Sequence, residues 1–229
     1  MNYGMTAPYG TLAGASMDVR AAFIRKTYSL FFLSLCVTIA AGWFVIASGA
    51  WRAVLAVWPI LLIAEFVLVM VLGFSRRTTG LNTALLYLFA AVQGAIFGPI
   101  LMMLSQTAPG VAPEAAMLTM IVFGGLTLYA MQSGRDFSYM GGFLFIAVIG
   151  LVVAGLLLLF FHWPLLYMAY TVGGVLIFSG FVLYDTSMIM KRLSPGDEIA
   201  GAISLYLDFI NLFWFILQLL LEFSGNSRD

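Results

Sequence analysis

Residues Gly180 to Glu222 read GFVLYDTSMIMKRLSPGDEIAGAISLYLDFINLFWFILQLLLE, two apolar runs that each carry one aspartate, Asp185 and Asp208. The charged segment between the runs, KRLSPGDE from Lys191 to Glu198, is the hairpin that turns one back beside the other if both are membrane helices. At 1.5 Å per residue, Asp185 then lies ~9 Å inside the first helix and Asp208 ~12 Å inside the second, measured from the same side. The two carboxyls share one depth. An ionised side chain in hydrocarbon is costly, so an intramembrane acid marks a functional site by default, and two at one level sharpen the case.

The rest of the chain is written for the same solvent. Of its 229 residues, 63% are hydrophobic and 9% charged, where a soluble domain averages about 25% charged. Phe137 to Tyr184 runs 48 residues without a charge, more than twice the ~20 needed to cross a bilayer. The class is an all-α polytopic membrane protein. Net charge is zero with no basic cluster, which leaves nucleic-acid binding without an electrostatic basis. The single cysteine, Cys36, lies within the first apolar run and reads as a small packing residue. The polar N-terminus lacks the basic region of a cleavable signal peptide, so the first helix is expected to be retained.

Residues 1–16, rich in Gly, Ala, Ser and Thr, read as a flexible tail. Residues 17–229 form the membrane domain, with MDVRAAFIRKTY (Met17 to Tyr28) an interfacial helix leading into it. Seven transmembrane spans are expected, near 28–48, 54–74, 83–105, 115–132, 139–161, 165–190 and 199–223. Basic residues set the orientation. Arg20, Arg25, Lys26, Arg76, Arg77, Arg135, Lys191 and Arg192 fall on one side, against Arg52 and Arg228 on the other. The N-terminus is thus expected in the cytoplasm and the C-terminus outside, with the aspartates near the cytoplasmic face. Gly94, Gly98 and the glycines of the fifth and sixth spans read as close helix packing, and Pro99 as a kink.

On the last helix, Ser204, Asp208, Asn211, Gln218 and Glu222 fall within an arc of about 80° among Leu, Ile, Phe and Trp. A single polar stripe needs polar partners, which suits a helix at the centre of the bundle. Two carboxyls held close in low dielectric do not both ionise cheaply, so the pair holds one proton in common and titrates as a unit. Loss of that proton leaves repulsion, relieved by separation, by a basic partner or by a cation. Clustered carboxylate oxygens suit calcium. Asp185 and Asp208 are therefore the candidate pH sensor and transient calcium contact. Arg76 is the basic residue expected to reach Asp185 as a latch; its plainer reading is a topology anchor. Glu65, ~16 Å into the second span, is either part of a cation path or a hydrogen-bonded structural acid. Asn211, Gln218 and Glu222 are candidates for the same path. Their alternatives are a hydrogen-bonded helix seam for the two amides and an interfacial position for Glu222.

GFVLYDTSMIMKR (Gly180 to Arg192) and AISLYLDFINLFWFILQLL (Ala202 to Leu220) resemble the transmembrane Bax inhibitor motif family, of the Bax inhibitor-1 type. GRDFSYMGGFL (Gly134 to Leu144), QGAIFGP (Gln93 to Pro99) and Glu65 fit the same family, so the resemblance covers the chain from about residue 17 onward. It implies seven helices with the last one central, a pH-sensitive calcium leak without a bound cofactor, and an aspartyl pair as sensor, which maps onto Asp185 and Asp208. Eukaryotic members suppress cell death, and bacterial members are linked to membrane proteolysis. The short polar tail and compact loops resemble the bacterial branch, which implies the inner membrane. The C-terminus, FSGNSRD, departs from the lysine-rich tail of the endoplasmic-reticulum members.

Two other readings compete. Intramembrane aspartyl proteases also pair a Tyr-Asp with a second aspartate on neighbouring spans. Here, however, Leu205-Tyr206-Leu207 precedes Asp208 where glycines would admit a substrate backbone. The other reading is a regulator without transport, bound to a partner such as a membrane protease.

Overall fold

The computed structural model describes residues 10–74 and 79–226, and among these every regular element is helical. The α-helices are α1 (Met17–Ala47), α2 (Trp51–Ala56), α3 (Trp58–Phe74), α4 (Thr79–Thr107), α5 (Val111–Gln132), α6 (Gly141–Phe160), α7 (Pro164–Lys191) and α8 (Glu198–Asn226). Single 3-10 turns occur at Leu12–Gly14 and Ser138–Met140. Six helices, all but α2 and α3, are long and apolar enough to cross a bilayer. The protein is an integral membrane protein.

Of the seven expected spans, six correspond to these long helices, and the second is represented only by a shorter apolar helix. The run expected at 54–74 is broken at Val57, and only the 17 residues of α3 remain as an apolar helix beyond it. Pro59 is the cause. It has no N–H to donate into a helix arriving from Trp51, and its ring disfavours helical backbone at the residue before it. It suits the first turn of a new helix instead. The opposite happens at the N-terminal end. With no breaker near Thr27, the expected interfacial segment and first span fuse into the 31 residues of α1. Part of the expected tail, 1–16, lies outside the described residues; within it Leu12 is fully buried and its N–H donates to the Leu193 carbonyl at 2.8 Å.

Two compact units divide the chain: residues up to Thr107 with Met190–Tyr206, and Ala108–Ile189 with Leu207 onward. In the first, α1 and α4 touch backbone to backbone. A Cβ added to Gly94 would run into the Thr38 carbonyl oxygen, and one on Gly98 would come within 2.9 Å of Val45 Cγ1. Small residues here are the condition for the approach. The contact is sealed by polar groups: the Thr38 hydroxyl lies 3.0 Å from the Ala90 carbonyl and 2.6 Å from the hydroxyl of the fully buried Tyr206. Tyr206 meets Phe89 edge to face at 5.5 Å. α4 stays helical through Pro99, whose missing N–H removes the usual donor to the Ala95 carbonyl.

The second unit is organised by α7 and the part of α8 it contains, which run antiparallel. Asp185 meets Asp208, Gly174 lies against the ring of Phe215, and Thr171 reaches Glu222. Phe215 stacks on Phe178 at 5.7 Å and meets Tyr170 at 5.1 Å. α6 packs on α7 through Gly180, where a Cβ would stand 2.8 Å from Leu144 Cδ2. Elsewhere α6 exposes Phe143, Phe145, Ile146 and Leu159. Exposed side chains of this kind along a whole helix are a lipid-facing surface.

Candidate functional site

Asp185 lies in the last two turns of α7, and Asp208 lies about three turns into α8. Each is held by its own helix, and the two side chains hydrogen bond to one another. An ionised carboxylate only accepts, so a bond between two carboxyl groups requires a proton on one of them. Asp208 is 3% exposed, and its Oδ2 has no hydrogen-bond partner. Oxygen in a buried, water-poor setting without a donor is a high-energy acceptor. The pair therefore has a place for one proton between its carboxyls and an unsatisfied acceptor, Asp208 Oδ2, beside it.

The loop before α6 fixes the α7 partner. Two residues beyond Asp185, the Ser187 hydroxyl accepts the Phe137 N–H at 3.0 Å and lies 3.3 Å from Asp136 Oδ1. The same Asp136 oxygen accepts the Ser138 N–H at 3.0 Å, an Asx-type turn that shapes the loop. Gly141 opens α6 where the Tyr184 ring lies: a Cβ there would stand 2.9 Å from Tyr184 Cε2. Thus GRDFSYMGG is a cradle for the two helical turns that carry Asp185. The α8 partner is fixed from the other side, where Phe209 meets Phe123 of α5 at 5.4 Å.

The other residues singled out from the sequence are dispersed. Gln218 and Glu222 face α7 about three and four turns further along α8, where the Tyr167 hydroxyl donates to Gln218 Oε1 at 3.4 Å and Thr171 Oγ1 to Glu222 Oε2 at 3.5 Å. Asn211 turns back on its own helix, donating to the Leu207 carbonyl at 2.8 Å. Glu65 belongs to the first unit, half-buried on α3 within electrostatic reach of Tyr206. Arg76 lies outside the described residues. Among the described residues no three His, Cys, Asp or Glu side chains gather at one point. Two carboxyls fall short of the six to eight oxygens of a resident calcium site. What sequence reasoning missed was the support. Asp136, Ser187 and Gly141 were legible as one motif and one serine, but their contact spans 51 residues of chain.

Comparison with known proteins identifies the family of the chain. The family model described as "Inhibitor of apoptosis-promoting Bax1" matches residues 20–225. Mouse protein lifeguard 4 is 35% identical over 217 residues, covering 93% of this chain and 90% of that protein. Bax inhibitor 1 of Schizosaccharomyces pombe is 34% identical over 223 residues, covering 95% and 83%. An uncharacterised protein of Campylobacter jejuni is 38% identical over 211 residues, covering 90% of each. Matching over nearly its whole length, the chain belongs to the Bax inhibitor family of integral membrane proteins.

Proposed function

We propose that the protein is a pH-sensitive calcium leak channel whose gate is the Asp185–Asp208 pair. The six long helices and the shorter α3 serve as its seven spans, with α8 at the centre. The observation that supports this reading is the proton-requiring bond between two carboxyls on neighbouring membrane helices. While the proton is present, the bond ties α7 to α8. When it leaves, two like charges stand in contact. At ~4 Å and an effective dielectric of about 20, their repulsion is about 4 kcal/mol, on the order of a thousandfold in the equilibrium between joined and parted helices. The flux therefore rises with pH. Calcium is the cargo, drawn by the exposed oxygens once the helices part. Glu65, Asn211, Gln218 and Glu222 would lie along its path. Arg76, placed by sequence at the cytoplasmic end of the second span, would offset the charge and hold the seam shut. The basic-residue bias and the bacterial relative favour an inner membrane with the N-terminus in the cytoplasm.

The test is calcium flux into liposomes between about pH 6 and about pH 8, wild type beside Asp208→Asn. An amide keeps a hydrogen bond to Asp185 yet carries no ionisable proton. The variant should leak at the low, protonated level throughout. A wild-type pH profile in the variant refutes the gate.

A second reading is a regulator that carries no ions and acts on a membrane partner, such as a protease or a cell-death factor. It is favoured by relatives named for regulation, Bax inhibitor 1 and the Golgi anti-apoptotic protein of vaccinia virus. Purified protein that passes no calcium at any pH would select it. The same relatives indicate no enzymatic activity.

A further inference from the structure

Where α6 turns into α7, the second unit contains a cavity of about 490 Å³ between that turn and the far end of α8. Its size suits a small-molecule or headgroup site. Its lining has two chemical halves. Leu158, Leu159 and Phe161 form an apolar side that continues onto exposed surface, Leu159 being 74% and Phe161 60% exposed. Opposite them are Glu222, Gln218, Tyr167 and Tyr170.

The polar half is sorted by sign. Glu222 offers a carboxylate, with only the long contact to the Thr171 hydroxyl at 3.5 Å against it. The Tyr167 hydroxyl donates to Gln218 Oε1 at 3.4 Å, and its oxygen retains the capacity to accept from a bound donor. Two aromatic rings, Tyr167 and Tyr170, line the cavity together with the carboxylate, and aromatic rings attract cations to their faces. One helical turn away, Gln218 Nε2 is buried without a hydrogen-bond partner. A buried amide donor left unmade is costly, and an oxygen acceptor, a phosphate oxygen among them, would satisfy it. Acceptors for a cation and a donor for an anion are thus spaced four residues apart on one helix face, ~6 Å along its axis. Beside them lies a greasy wall at the end of two spans, where lipid headgroups reside.

We propose that this cavity binds an aminoethyl phosphate group: the primary ammonium between Glu222 and the tyrosines, the phosphate at Gln218 Nε2. Its source is the headgroup of an amine-bearing zwitterionic phospholipid, with acyl chains along Leu158 and Leu159, or the free soluble zwitterion. A primary ammonium gives three N–H donors to the waiting acceptors, which a trimethylated choline nitrogen cannot. Because Gln218 and Glu222 also lie on the proposed cation path, binding here is read directly and not through calcium flux.

The experiment measures binding to the purified full-length protein in detergent by native mass spectrometry. The probes are dioleoyl phosphatidylethanolamine, the phosphatidylcholine and phosphatidylglycerol with the same chains, and free O-phosphoethanolamine as competitor. Wild type should prefer the ethanolamine lipid over the choline lipid by about tenfold. Glu222→Gln should bring that ratio to about one, and Gln218→Leu should weaken both zwitterionic lipids together. Unchanged melting of the lipid-free variants shows that they fold; if Glu222→Gln does not, Tyr167→Phe, which removes one ammonium acceptor, serves in its place. Competition by free O-phosphoethanolamine at concentrations comparable to the lipid assigns the soluble source. No competition assigns the lipid. Equal binding of all three lipids, or a preference that survives both Glu222→Gln and Tyr167→Phe, overturns the proposal.

Discussion

Gly141→Ala, paired with Gly142→Ala, tests the cradle under the aspartate site. A Cβ on Gly141 would stand 2.9 Å from Tyr184 Cε2 and 3.1 Å from its Cζ and hydroxyl, whereas a Cβ on Gly142 meets nothing within 4 Å. Tyr184 yields only by swinging its ring away from Phe181, which it meets edge to face at 6.4 Å. Forcing one methyl group into such a contact costs about 1–3 kcal/mol. Both variants share the gain of about 0.5–1 kcal/mol that alanine brings to a helix over glycine, so their difference isolates the clash. At roughly 2–4 °C per kcal/mol for a chain of this size, Gly141→Ala should melt about 2–12 °C below Gly142→Ala in detergent. It should also displace the pH profile of calcium flux, which Gly142→Ala should leave alone. Equal melting temperatures would mean that α6 does not press on Tyr184, and the account of what positions Asp185 would fall with it.

Other expectations follow from single contacts. In the first unit, Tyr206→Phe removes one hydroxyl and leaves Thr38 bonded to backbone, a loss of about 0.5–1.5 kcal/mol. Thr38→Val strands the buried Tyr206 hydroxyl and should cost more, about 1–3 kcal/mol, with unfolding in denaturant ranking the two. Gly94→Val puts a branched side chain into the Thr38 carbonyl and should abolish folded protein on size exclusion, which a monodisperse, wild-type-like peak would contradict. Arg76→Ala should raise the calcium leak most at high pH, where the aspartates are charged; an unaltered leak would reduce Arg76 to an orientation signal.

The aspartate pair was legible because a hairpin of charged residues is a ruler: counting inward from Lys191 and from Glu198 places both acids at one level. The polar stripe was legible too, but a helical wheel records direction and not partner. Asp208, Gln218 and Glu222 meet side chains of α7, while Asn211 satisfies itself on the Leu207 carbonyl. Hydropathy alone overran the break at Val57, since Trp58 and Pro59 sit in an apolar run and only the missing proline N–H interrupts it. The cavity beside Gln218 was out of reach of any local reading. It exists because antiparallel helices bring Tyr167 and Glu222 to one end, and no periodicity encodes that meeting.

Leu12 has a practical consequence. Its side chain is wholly buried and its amide is tied to Leu193, in the short hairpin that joins the two aspartate-bearing helices. A fluorescent protein or affinity handle fused close ahead of it would tug on that hairpin with every tumble. Reporters intended to leave the molecule undisturbed belong at the other end of the chain, or behind a generous spacer.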